Sequence, residues 1–300
     1  LVYGALVFLC YLAEFMGHRV MGRFLPQFET QNVTAQFLSL RPRRSVVVMA
    51  HCDSGRDAFA QFPWAAPWLR TMHCALVICM VCVITTCALE ASNLLPETAL
   101  APLAAARWTA VGVLVCAAAC VIYVEMGAGY SPGANDNASG VAALLRLAER
   151  LQAQPLENAD VYLAATGSNQ AWMNGARQFV KSHGLDRDST FFLNLDRVGR
   201  GTPAYTETQG MLRMLPSDPE LVKAARAASD PFTASPIREV TANSDILIPL
   251  ARGYKGIEIT AVPAAAVAPM EDTVAAVSAG TVVRCADFAE AIIRSLDSDA

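Results

Sequence analysis

Two stretches without a single charged residue dominate the hydrophobic pattern of the chain. TMHCALVICMVCVITTCAL runs from Thr71 to Leu89 between Arg70 and Glu90, and WTAVGVLVCAAACVIYV runs from Trp108 to Val124 between Arg107 and Glu125. Each approaches the ~20 residues a helix needs to cross a bilayer. Trp64, Trp68, Trp108 and Tyr123 fall where interfacial aromatics sit. The pair predicts a transmembrane hairpin, with two buried core helices as the competing reading. The opening LVYGALVFLCYLA is too short to span alone and reads as the end of a truncated membrane helix, with a core helix as the competing reading; no basic segment marks it as a signal peptide.

Outside these runs the period changes. SVVVMAH (Ser45 to His51) is a β-branched apolar run ending in polar residues, ADVYLAATG and FFLNLD repeat that form near Val161 and Leu195, and GIEIT (Gly256 to Thr260) is a fourth candidate strand. SGVAALLRLAERL (Ser139 to Leu151) has helical spacing, with Val141, Leu144, Leu145 and Ala148 on one face, and DFAEAIIRSL near the end is a second such helix. Strands alternating with helices predict an α/β domain with a mixed, largely parallel sheet flanked by helices and interrupted by the hairpin. The expected organisation is a membrane-helix end and linker over 1–25, the first part of the domain over 26–70, the hairpin insertion over 71–125 and the remainder over 126–298. Such sheets place their sites at the carboxyl ends of strands, which directs attention to His51, Gly167 and Asp196.

Composition sharpens this reading. A hydrophobic content of 54% is high for a soluble protein, and the net charge of −4 with no basic run longer than RPRR (Arg41 to Arg44) argues against a nucleic-acid partner. The nine cysteines fall mostly in apolar runs and form no CxxC pair pattern, so neither a disulfide framework nor a cysteine zinc site is read. Arginine far outnumbers lysine and alanine is abundant, which suggests a bacterial source and, with the hairpin, an integral protein of a bacterial inner membrane. Arg19, Arg23, Arg56 and Arg70 flank the hairpin on the domain side, against Arg107 in its loop, and this count puts the domain in the cytoplasm.

Three strand ends carry metal-ligand types: AHCDSG supplies His51 and Asp53, PGANDNASG supplies Asp136, and LNLDRVG supplies Asp196. One imidazole and two carboxylates suit a divalent ion. In the HxD spacing both side chains leave the strand on one face, so Asp53 is placed to fix the His51 ring. The remaining histidines, His18, His73 and His183, read as structural, His183 at a helix C-terminus in KSHG. Asn32 and Asn137 match the glycosylation pattern but open a strand and sit within the metal motif, respectively, so neither is read as modified.

The order TQNVTAQF…SVVVMAHCDSG, SPGANDNASGVAALLRLAERL, VYLAATGSNQAWMNGARQFV, FFLNLDRVG, SDILIPLARGYKGIEI and MEDTVAAVS resembles metallopeptidase family twenty-eight, the co-catalytic two-zinc aminopeptidases, and within it a membrane-embedded bacterial branch. The resemblance spans about Thr30 to Leu296 and implies zinc. It places one ion at His51, Asp136 and Asp196, with Asp136 bridging to a second. The second ion further requires a Glu and a late His, and these positions carry Gln170 and Ala268. The general-base Glu aligns with Asn169, an amide with no useful basicity. Asp245 matches a family position near the substrate pocket and also suits a helix N-cap. The resemblance therefore implies one zinc or none. It describes a membrane-anchored pseudo-peptidase in contact with the bilayer, with a binding or scaffold role toward a peptide or protein. The alternative is an active aminopeptidase using one zinc and a base such as Glu207 or Glu258. A glutaminyl-cyclase-like activity needs the same missing carboxylate, and a decaying gene would leave the same traces.

Overall fold

The computed structural model of the chain describes residues 1–24, 29–58, 62, 64–262 and 268–298. Its centre is an eight-stranded sheet in which β1 (Val33–Phe37), β3 (Ala159–Thr166), β2 (Arg44–His51), β4 (Thr190–Leu195), β8 (Lys255–Val262), β5 (Thr202–Gln209) and β6 (Leu215–Pro216) follow in spatial order. The last strand, β7 (Ser235–Glu239), pairs with β5. The four strands β3, β2, β4 and β8 are parallel to one another, β5 joins β8 antiparallel, and β1 and β6 close the edges antiparallel. A parallel sheet is covered on both faces, which is why its strands are continuously apolar. Along β2, Val46, Val48 and Ala50 enter the core beneath α4 (Ser139–Ala153) and α8 (Ala279–Ser298). Val47 and Met49 enter the second core, with Phe179 of α5 (Asn174–His183) and Ile248 of α7 (Leu247–Ala251).

The strands and helices read from periodicity are present, with one rotation. Helix α4 buries Gly140, Ala143, Leu144, Leu147 and Leu151, whereas Leu145, assigned to the buried face, is 65% exposed. Gly140 sets this face: a Cβ there would stand 2.5 Å from the Leu195 carbonyl oxygen, so the helix approaches the end of β4 along its glycine side.

The apolar stretches form α2 (Leu69–Ala91) and α3 (Glu97–Gly127), packed side by side, with the shorter α1 (Val2–Phe15) against α2. They are not buried core helices: among the described residues, α2 buries only Thr86 and α3 only Ala110. Both are long and apolar enough to cross a membrane, and their apolar stretches lie almost wholly outside the protein interior. The hairpin leaves and re-enters the domain through a clasp. Asp57 N–H donates to the Gly129 carbonyl and Ser131 N–H to the Gly55 carbonyl, both at 2.8 Å. Arg56 closes it from the side, donating to the Ala128 carbonyl and to Glu125 Oε2, each at 3.0 Å, over the Tyr130 ring. The remaining helix, α6 (Pro219–Ala227), is capped by Asp218, whose carboxylate accepts from the Glu220 and Leu221 amides.

Candidate metal centre and its surroundings

Strand β2 ends at His51 and its parallel neighbour β4 ends one residue before Asp196, so both side chains emerge at the carboxyl edge of the sheet. Asp136 reaches them from the turn preceding α4. His51 Nε2 lies 3.1 Å from Asp136 Oδ1 and 3.4 Å from Asp196 Oδ1. One ligand atom from each of the three residues can be chosen so that all lie within 4.8 Å of one another. Burial works against a charged imidazole, but the surrounding carboxylates of Asp136, Asp196 and Asp53 outweigh it and raise the His51 pKa well above its ordinary value. Asp196 also resists burial: the adjacent Arg197 guanidinium and His51 hold its pKa down to about 2.

The GANDNASG motif is a clamp. Asn137, 2% exposed, donates from Nδ2 to the Leu195 carbonyl and accepts at Oδ1 from the Gly140 and Arg197 amides. Asn135 Oδ1 accepts from Gly199 N–H, and Ser139 Oγ accepts from Val198 N–H. The motif thereby fixes the loop after β4 that carries Asp196. Asp272, part of the MEDT stretch, is the residue that sequence reasoning passed over. Its two carboxylate oxygens accept from the Asn135 and Asp136 amides, at 2.9 and 3.0 Å, and so set the height of Asp136. Only the invariable need of a buried turn for a hydrogen-bond acceptor pointed to such a residue.

Asp53 is placed differently from the sequence expectation. The His51 Nδ1 contact at 2.9 Å is to the Asp53 backbone carbonyl, with the carboxylate at 3.6 Å. The carboxylate instead accepts from the backbone amides of Asn169 and Gln170, at 2.9 and 3.0 Å, and holds the turn after β3. Asn169 turns its amide inward, donating from Nδ2 to Asp245 Oδ1 at 2.8 Å, while Thr166 Oγ1 donates to the other Asp245 oxygen. Asp245 is fully buried behind Asn169 and is not an N-cap; burial raises its pKa, opposed by His51 and the two hydrogen bonds. Gln170 is exposed, and half-buried Ala268 offers a methyl group.

A cavity of about 470 Å³ opens over these groups, walled by His51, Asp136, Asp196, Asn169 and Gln170 and, from the hairpin, by Leu69 and His73. Neither Glu207 nor Glu258 lines it. Glu207 pairs with Arg226 on the exposed edge. Glu258 is fully buried in β8, accepting from Ser244 Oγ and from Asn194 Nδ2. Burial, aided by the negative charge of Asp196, pushes its pKa up to about 8. A folded state that keeps a proton the unfolded chain releases near pH 4.5 loses stability as pH rises from there through 8. The melting temperature is therefore expected to fall across that window, and Glu258→Gln to flatten the fall, a difference on the order of a few kcal/mol. Parallel melting curves for the two proteins would show Glu258 to be ionised throughout.

The profile described as Peptidase family M28 matches residues 121–293, more than half of the chain. The chain belongs to peptidase family M28. His51 lies outside that stretch and joins the M28 site only through the pairing of β2 with β3 and β4. A probable lipoprotein aminopeptidase, LpqL, from Mycobacterium tuberculosis is 35% identical over 81 residues, covering 26% of this chain and 16% of that protein. Among solved structures, the aminopeptidase from Aneurinibacillus sp. strain AM-1 superposes with a TM-score of 0.51 at 16% identity, covering 87% of this chain and 47% of that one. A zinc aminopeptidase from Bacillus subtilis gives 0.52 at 15% identity, with 89% and 50% covered. A glutaminyl cyclase from an Acidobacteriales bacterium gives 0.52 at 14%, with 90% and 74% covered. The chain thus spans about half the length of the aminopeptidase structures it resembles.

Proposed function

We propose that the chain is a membrane-anchored, aminopeptidase-like module of family M28 that holds one zinc ion and binds a peptide or protein ligand without appreciable hydrolysis. The observation that carries this reading is the Asn169 amide, hydrogen-bonded to Asp245, at a residue that the sequence resemblance aligns with the family's general base. An amide cannot take a proton from an attacking water, and loss of such a base costs roughly 10² to 10⁴ in rate. Gln170 and Ala268 leave the second ion without two of its ligands.

The surviving three residues fit zinc. Asp196 Oδ1 is buried without a hydrogen-bond partner, a costly state for a carboxylate oxygen that a cation would relieve. His51, Asp136 and Asp196 would hold the ion, which supplies Lewis-acid polarisation of a bound carbonyl. Asp53 and Asp272 keep the two flanking turns in place whatever occupies the cavity.

Anchoring is supported by the exposed apolar faces of α2 and α3 and by Trp64, Trp68, Trp108 and Tyr123, each more than 60% exposed. The arginine distribution favours a domain on the cytoplasmic side of a bacterial inner membrane. The reading of a one-zinc enzyme with Glu207 or Glu258 as base draws no support from a cavity that neither residue lines.

The test is turnover of leucine para-nitroanilide by zinc-equilibrated protein beside its His51→Ala variant. No difference between the two is expected. Hydrolysis that depends on His51 would sink the proposal and establish a working peptidase.

A further inference from the structure

A second cavity, of about 1530 Å³, lies away from the metal centre, between the loop that follows α1 and the outer side of α5 and α7. Six cationic side chains line it, Arg19, Arg23, Arg177, Lys181, Arg187 and Arg252, against one carboxylate, Glu29. The buried Glu14 stands behind this wall, but its carboxylate is engaged by the amides of Val20 and Gly22 and closes the turn after α1. Arg177 joins the two halves. Its guanidinium donates to the Gly17 carbonyl, which follows α1, and to the Trp172 carbonyl at 3.0 Å, while Nε is buried without a partner. Trp172 in turn meets Phe15, the last residue of α1, edge to face at 5.0 Å.

Such a concentration of like charge is unfavourable without an anion. Desolvation, with the charge of Arg252 close by, pushes the Arg177 pKa down to about 10, against the opposing pull of Glu14; burial likewise lowers Arg252. Folding has placed the other cations around Arg177, at the point where an apolar helix packed on α2 gives way to the domain. Basic pockets beside membrane helices recognise anionic headgroups by this arrangement.

We infer that this cavity is a binding site for the phosphate headgroup of an anionic phospholipid, seating the domain against the bilayer surface. The inference rests on the membrane reading of α2 and α3. Lys181 and Arg187 are exposed, Arg187 lying 5.8 Å from the centre of the Tyr254 ring, and they are the groups to remove.

The experiment follows the melting temperature of the full chain in neutral detergent during titration with dihexanoyl phosphatidylglycerol, dihexanoyl phosphatidylcholine or inorganic phosphate. Phosphatidylglycerol is expected to raise it saturably and phosphatidylcholine to leave it unchanged. The double variant Lys181→Gln, Arg187→Gln, measured against its own melting temperature without lipid, should need on the order of tenfold more phosphatidylglycerol for the same shift. Equal responses to the two lipids, or an unaltered titration in the variant, overturn the inference. A phosphate titration matching that of phosphatidylglycerol overturns the assignment to lipid and leaves a free-anion site. Extraction with alkaline carbonate separates the two readings. A chain retained in membranes but indifferent to phosphatidylglycerol sinks the headgroup site alone, and a chain released by carbonate removes the basis for both.

Discussion

Protein equilibrated with zinc and freed of excess is expected to carry about one zinc per chain by elemental mass spectrometry, and the His51→Ala variant none. The three ligand atoms already converge, and their surroundings are fixed from outside the site: Asn137 holds the Leu195 end of β4, Asp272 holds the Asp136 amide, and the Asp53 carbonyl orients the His51 ring. Little ordering is left for the ion to impose. A proton competes for the same place, since the carboxylates raise the His51 pKa well above its ordinary value. Zinc uptake should accordingly weaken as pH falls, because binding must release that proton. Two zinc ions per chain would mean that other ligands complete the site and would move the enzyme reading ahead. None would mean that Asp196 keeps Arg197 as its partner in place of a metal.

Restoring the family's residues together, Asn169→Glu, Gln170→Glu and Ala268→His, is expected to bring uptake of a second zinc and to raise peptidase turnover by roughly 10² to 10⁴. The surroundings can accept the first change. Asp245 is buried, with its pKa raised, and now receives a hydrogen bond from the Asn169 amide. With Glu in that place two carboxyl groups face each other and share a proton, so that the pair, not either residue alone, sets the basicity. Gln170→Glu alters an exposed side chain whose backbone amide stays on Asp53. Ala268 sits where its carbonyl accepts from Glu271 N–H at the head of the Pro269–Glu271 turn, a contact that histidine preserves. A triple variant that binds a single ion and remains inert would show that the late loop does not carry residue 268 to the metal.

The legible parts of the fold were those whose burial is complete and regular. β2, β3, β4 and β8 lie inside a parallel sheet, and an apolar run is all that such a position demands. β5, β6 and β7 escape that logic. TPAYTETQ buries Thr206 and Gln209 by hydrogen bonding, and prolines at 203, 216 and 236 interrupt the pattern that marks a strand. The same division holds at the site. His51, Asp136 and Asp196 were legible because chemistry restricts which residues can hold a divalent ion. The engagement of Asp53 with the turn at Asn169, and of Asp272 with the turn at Asp136, joins positions more than a hundred residues apart, where no local pattern exists.

The clasp at Arg56 gives the insertion a particular standing in the energetics of the domain. With Gly55 and Asp57 bonded to Ser131 and Gly129, both ends of the hairpin meet at one point of the surface. To the folding domain, α2 and α3 are an excursion that begins and ends in the same place, and the entropy of closing an excursion grows only with the logarithm of its length. Each doubling costs about 0.6 kcal/mol. Two apolar helices are thus accommodated between His51 and Asp136 at little expense to the geometry that unites those residues.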